Sequence, residues 1–237
     1  MRKLIKGDIT RILHKKEIYV FFLILVIILF AMGNKSTPED QISSFQTMSG
    51  MVGLFLCLIP VYLTVYGDEM RAGSMQIVLG RGMSRRKVVA SKVIDCFILF
   101  TMMFMGLLVM FYIKNAIGHV TLTSRQNLMI FVEMLNKCIE SAAYFALAGL
   151  FLFSSWNVAI GLTGLIVLVM LNVALGVIQM NTHIPLRDYW ISGLSQSAFQ
   201  DINVGNFPWG LVGLIAVYIV GAIIVTAKIF ERKEIDL

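Results

Sequence analysis

Residues 67–92 read GDEMRAGSMQIVLGRGMSRRKVVASK. Six basic and two acidic residues crowd into this stretch, between two strongly apolar runs of a chain that is 58% hydrophobic and only 14% charged. A soluble domain is nearer a quarter charged. With a mean hydropathy of +0.81 over 237 residues, the chain carries more apolar surface than one aqueous core can hide. Lipid is therefore the expected solvent, and residues 67–90 become a polar connector between two membrane spans.

Working outward, a spanning helix needs roughly 20 mostly apolar residues. Such runs lie near 18–33, 47–66, 91–113, 129–152, 158–178 and 209–228. The expected fold is all-α: a polytopic membrane protein with six transmembrane helices in a single transmembrane domain over 1–237. The first run follows Lys15, Lys16 and Glu17, and no Ala-x-Ala site comes after Met32, so it reads as a span and not as a removed signal.

Six spans put both ends on one side. That side collects the basic residues of 1–16, those of 67–92, and Lys228, Arg232 and Lys233, which together make 15 of the 20. The other side has Lys35, Lys114, Arg125, Lys137 and Arg187. The positive-inside rule then places both termini and the 67–90 connector in the cytoplasm of a multi-pass cell-membrane protein. This asymmetry and anionic lipid explain the net charge of +6 without nucleic acid.

Residues 1–16, MRKLIKGDITRILHKK, repeat Leu4, Ile5, Ile9, Ile12 and Leu13 at intervals of three and four. On a helix these form one stripe flanked by bases, the pattern of an amphipathic helix in the headgroup plane. A frayed basic tail is the alternative. The Pro38-containing linker 33–46 reads as an outside loop, and SSWN (154–157) as a tight, uncharged inside turn. Residues 179–208 mix Tyr189, Trp190, Phe199 and Phe207 with polar groups. Aromatic residues favour the membrane–water boundary, so this is an outside loop with short helices dipping into the headgroup zone.

Glu133, Lys137 and Glu140 in the fourth span share one helical face at spacings of four and three. Two readings stay open: the charges remain wet at the outer interface, or the face lines a polar cavity, where ionisable groups at depth are costly and functional. Together with Asn172 and Gln179 they are the candidate polar lining of a path through the bundle. Asn172, inside the apolar fifth span, reads first as an interhelical hydrogen-bonding residue.

Catalytic constellations are missing. No Gly-Lys dipeptide occurs, so there is no Walker A phosphate loop, and neither His-Glu-x-x-His nor Gly-x-Ser-x-Gly is present. His14, His119 and His183 are scattered, and Cys57, Cys96 and Cys138 match no metal or disulfide spacing. Neither catalytic nor metal-binding residues are assigned. An intramembrane enzyme would need paired carboxylates at depth. Asp95 is the only other buried-looking acid, and Lys92 three residues earlier can neutralise it. A non-catalytic scaffold or sensor is the other alternative.

Within the opening stretch, Asp68 and Glu69 suit the positive end of a short helix over 68–79, and Arg81 the negative end. Gly80-Arg81-Gly82 stops it, and Ser84 is a fair N-cap for the helix that leads into the third span. The result is an amphipathic helix, a glycine break and a basic helix start at the membrane surface.

An acidic pair, then Gly73, then VLGRGMSRRKVVASK resembles the intracellular loop of type-2 ABC-transporter permeases. The matching positions are Glu69, Gly73, Ser74, Leu79, Arg81, Gly82, Ser84, Arg85, Lys87 and Lys92, with Asp68 and Arg71 in the same helix. The N-terminal amphipathic helix, six spans, short fourth–fifth turn, long loop before the sixth span and FERKEIDL ending fit that family too. The resemblance implies a bacterial transporter's membrane subunit, paired with a second copy or a related permease. Two ABC ATPase subunits would carry the ATP and Mg, so this chain would hold no cofactor and do no hydrolysis. By the same resemblance, 68–80 is the coupling helix and 153–157 a second, smaller contact. The expected cargo is a peptide, including antimicrobial peptides in producer immunity, or a hydrophobic drug. Families that move lipid-linked glycans are less well matched, because no large extracellular domain is present.

Overall fold

The computed structural model describes residues 2–31, 37–71, 75, 79–80, 82–204 and 209–232. Among these no strand occurs. The helices are α1 (Arg2–Leu13), α2 (Lys16–Ala31), α3 (Pro38–Thr47), α4 (Gly53–Tyr62), α5 (Asp68–Arg71), α6 (Arg85–Ile117), α7 (Ser124–Ser155), α8 (Val158–Thr182), α9 (Ile191–Val204) and α10 (Trp209–Arg232). A single 3₁₀ turn, Arg187–Tyr189, precedes α9.

Among the described residues, five helices are long and apolar enough to cross a membrane: Pro38–Gly67, α6, α7, α8 and α10. The remaining predicted span, the first (18–33), corresponds to α2, which is apolar but only 16 residues long. At 1.5 Å per residue that is about 24 Å, against roughly 30 Å of hydrocarbon. Residues 32–36, which follow it, lie outside the described residues.

The predicted outside loop 33–46 needs correction, because residues 38–47 are helical. The Thr37 hydroxyl accepts the Asp40 N–H at 3.2 Å, Pro38 presets the backbone of the first turn, and Glu39 and Asp40 face its positive end. This polar helix runs through a kink at Gly50 into α4, so the helix that holds the second predicted span starts at Pro38, before residue 47. Pro60 then removes one backbone donor, and the π-helical turn Leu63–Gly67 ends the element. The Thr64 hydroxyl donates back to the Pro60 carbonyl at 2.6 Å.

α6 and α7 also outrun their apolar cores. α6 begins at Arg85, so Arg85, Arg86 and Lys87 form its first turn. α7 begins with a reciprocal Thr123–Gln126 capping box and ends on Trp156 in the left-handed region. Asn157 caps α8, its Oδ1 accepting the Ala159 N–H at 2.8 Å.

Large rings fill the bundle interior. Phe100 stacks on Phe104 at 4.6 Å, Phe45 meets Phe111 at 4.7 Å, and Tyr62, Tyr66, Tyr144, Phe145 and Phe153 are fully enclosed. The outside is apolar as well: Val109 and Ile117 on α6, Val167 on α8 and Val217 on α10 are all more than half exposed. Soluble proteins rarely show such continuous apolar faces, whereas hydrocarbon imposes no cost on them.

The two ends of the bundle differ. At one end, the Arg85 guanidinium donates to the Phe230 carbonyl at 2.5 Å and stands 5.3 Å over its ring. Phe230 stacks on Trp156 at 5.3 Å, and Arg86 pairs with Glu231 at 2.6 Å. The start of α6, the α7–α8 turn and the last turn of α10 are thus bound together, with cations at the negative end of α10. α1 joins the same end, its Ile12 fully enclosed by protein. The predicted α1 stripe is therefore partly spent on the bundle itself, since Ile5, Ile9 and Leu13 are half-buried there. At the opposite end, Lys114 of α6 donates to the Leu29 carbonyl of α2 at 2.8 Å.

Candidate functional site

Charged side chains gather in two places. The first involves the opening stretch. The Lys92 ammonium on α6 donates to Asp8 Oδ2 of α1 and to Glu69 Oε1 of α5, each at 2.6 Å, and lies 3.5 Å from Asp95 Oδ2. Arg11 of α1 adds a donor to Glu69 Oε1 at 2.5 Å. An ammonium has three protons, and here three carboxylates surround it. The side chains of Glu69, Lys92 and Asp95 are at most 5% exposed. Asp95 is thus not the only other buried acid: burial follows from packing α1 and α5 over the α6 start, and Glu69 is enclosed by it.

The remaining predicted coupling residues divide. Gly73, Ser74 and Arg81, and the side chains of Asp68 and Arg71, lie outside the described residues. Leu79 packs against the core. Gly82 is exposed at φ +82°, a conformation that favours glycine, and its N–H reaches the Leu79 carbonyl at 2.9 Å. Ser84 occupies the N-cap position of α6 in extended conformation, but its hydroxyl makes no cap bond; its carbonyl takes the Lys87 N–H at 2.9 Å. Arg85 and Arg86 are tied to α10, and Lys87 is exposed.

The second cluster lines a cavity of about 570 Å³ between α7, α8, the segment that follows α8 and the end of α3, which contributes Gln46. Glu133, Lys137, Glu140 and Asn172 all face it, which joins four of the five predicted path residues. Gln179 lies in an adjoining recess and donates to Asp188 Oδ1 at 3.3 Å. Lys137 pairs with Glu140 at 2.8 Å. The other Glu140 oxygen accepts the Ser192 hydroxyl at 2.6 Å, and Ser192 is also 2.6 Å from the Tyr144 hydroxyl. Ser195 donates to Asn136 Oδ1 at 2.7 Å. α9 therefore folds back against the middle of α7 and seals Glu140, which is 2% exposed. The three charges of this face therefore share one polar cleft, with Glu140 sealed and Glu133 and Lys137 half-buried at its wall.

α9 can sit so close because position 193 is glycine. A Cβ there would fall on the Arg187 carbonyl oxygen and 2.8 Å from Asp188 Cα. The turn beneath it aims Arg187 back at the cavity, where Nε donates to Asn172 Oδ1 at 3.3 Å and Nη2 to Gln196 Oε1 at 3.4 Å. Asn172 thus serves a loop arginine and not a neighbouring span.

Sequence reasoning passed over Arg187, Asn136, Ser192 and Gln196 in the cavity, and Asp8 and Arg11 in the ionic cluster. Two signals were available. Arg187 is the only Lys or Arg in 179–208, and Asp8 is the only acid in 1–16. Comparison of the chain with family models and with curated proteins finds no match.

Proposed function

We propose that this chain is the membrane-spanning permease subunit of a type-2 ABC transporter. It has six spans and cytoplasmic termini, works as a pair, and exports a peptide or hydrophobic drug across a bacterial cell membrane. ATP is hydrolysed on two separate ATPase subunits, which act through residues 68–87 and the 153–157 turn. The chain has no Gly-Lys phosphate loop of its own to do that work.

The observation that carries this reading is the linkage at the basic end of the bundle. Arg85, at the start of α6, reaches Phe230, which stacks on Trp156 in the α7–α8 turn. The basic start of α6, which follows the proposed coupling helix 68–80, is therefore beside the 153–157 turn, braced by the end of α10. A push on either reaches α6, α7, α8 and α10 together. Lys87 stays exposed beside this brace. The ionic cluster around Lys92 gives the same push a path into α1.

The test is co-purification with the cognate ATPase in nanodiscs. The wild-type chain should raise ATP turnover, and Lys87→Glu and Arg81→Glu should abolish that stimulation while the chain stays monodisperse. Unchanged stimulation by both variants, or labelling of Lys87 from outside the cell, would overturn the assignment.

A further inference from the structure

The cavity beside α7 holds four formal charges that cancel: Glu133 and Glu140 against Lys137 and Arg187. Their pairing is uneven. Lys137 and Glu140 satisfy one another, and Ser192 takes the remaining Glu140 oxygen. Arg187 has only neutral amides, Asn172 and Gln196, both at 3.3 Å or more, and no ion pair among the described residues. Glu133, on the next turn of α7 from Lys137, likewise makes no ion pair there. One guanidinium and one carboxylate thus face the same space from different elements, neither in an ion pair among the described residues; Lys137 acts on Glu133 only from beyond ion-pair distance, while it bonds Glu140.

Unpaired charges at the edge of an apolar bundle are costly, and a ligand bearing both opposite charges offsets both costs at once. A guanidinium takes a carboxylate or phosphate through a planar fork of donors, and a carboxylate takes an ammonium. The third wall is apolar: Val169, Val173 and Val177 recur every fourth residue along α8 and line the cavity. The volume lies in the small-ligand range of roughly 300–1,000 Å³, enough for a charged head and the start of a stem.

We propose that this cavity binds a zwitterionic amphiphile, its anionic group on Arg187, its ammonium on Glu133 and its apolar stem along the α8 valines. An ethanolamine phospholipid headgroup and the two free termini of a short apolar peptide share this chemistry. Calling the ligand cargo rests on the transport reading; its binding does not.

Binding is measured on the full-length chain in a non-ionic maltoside by native mass spectrometry, with no ATPase present. The probes are lysophosphatidylethanolamine, lysophosphatidylglycerol, dodecylammonium, leucyl-leucine and N-acetyl-leucyl-leucine amide. At least one zwitterion should bind about tenfold tighter than its singly charged or blocked counterpart, a difference of about 1.4 kcal/mol. Preference for the lysolipid alone marks a headgroup site, and preference for the dipeptide alone marks peptide termini. Glu133→Gln should erase the advantage of lysophosphatidylethanolamine over lysophosphatidylglycerol. Arg187→Gln should erase its advantage over dodecylammonium, and Arg187→Lys should keep part of it. If a variant fails to stay monodisperse, the ranking on the wild-type chain decides: equal affinity for charged and blocked probes overturns the site. A zwitterion preference without ATP-driven movement in proteoliposomes keeps the site and removes its role in transport. Normal ATPase coupling without the preference does the reverse.

Discussion

The cluster around Lys92 and the cavity around Glu133 are built from similar side chains and end in opposite conditions. Around Lys92, the charges of α5 and α6 are enclosed beneath those of α1, and the ammonium spends each proton on a carboxylate. Around Glu133 the space stays open, and a carboxylate and a guanidinium both lack an ion pair among the described residues. Burial explains the contrast. Charges sealed from water survive only when satisfied within the protein, so the first cluster is a fastening. Charges left facing a cavity keep the capacity to bind something else, as a site requires.

The largest effect is expected at the fastening. Lys92→Met leaves three carboxylates grouped without their shared cation. It should lower stability by about 3–5 kcal/mol, the range for breaking a buried pair from one side. Thermal unfolding in detergent reads this directly, and a midpoint within error of wild type would show that α1 and α5 are not held through Lys92.

A smaller effect is expected at the cavity's lid. Gly193→Ala puts a methyl on the Arg187 carbonyl, so α9 or the 3₁₀ turn must shift. Overpacking of this kind costs about 1–3 kcal/mol. The separate mark of the lid is that Cys-reactive labelling of an introduced Glu140→Cys should rise in the Gly193→Ala background. Equal labelling in both backgrounds means that α9 does not seal the mid-helix site.

The smallest effect should be nil or of opposite sign. Glu133→Gln removes a charge that is half-buried and in no ion pair among the described residues, so the unfolding midpoint should hold or rise slightly. A clear fall would mean that Glu133 is satisfied internally and that the two regions are the same kind of structure.

Hydropathy made the helical runs legible, because a residue's preference for lipid does not depend on its neighbours in space. The Lys92–Asp95 contact was legible for a related reason: residues three apart on a helix are always neighbours. The start of α3 was written in Thr37-Pro38-Glu39-Asp40, a helix-opening signature, but the polarity of 33–46 drew it towards a loop. Glu133, Lys137, Glu140 and Asn172 were named as polar candidates from their types and spacing, without an indication of which would be paired.

Composition and local periodicity determined that this chain is helical, rich in helices fit for lipid, and polarised in its basic residues, because these are sums over neighbouring positions along the chain. Folding in three dimensions decided that Asp8 meets Lys92 across 84 positions and that Arg187 turns back to Asn172 while Lys137 bonds Glu140 and not Glu133. Electrostatic pairing depends on distance through space and on exclusion of water, and neither quantity can be read along a line of residues.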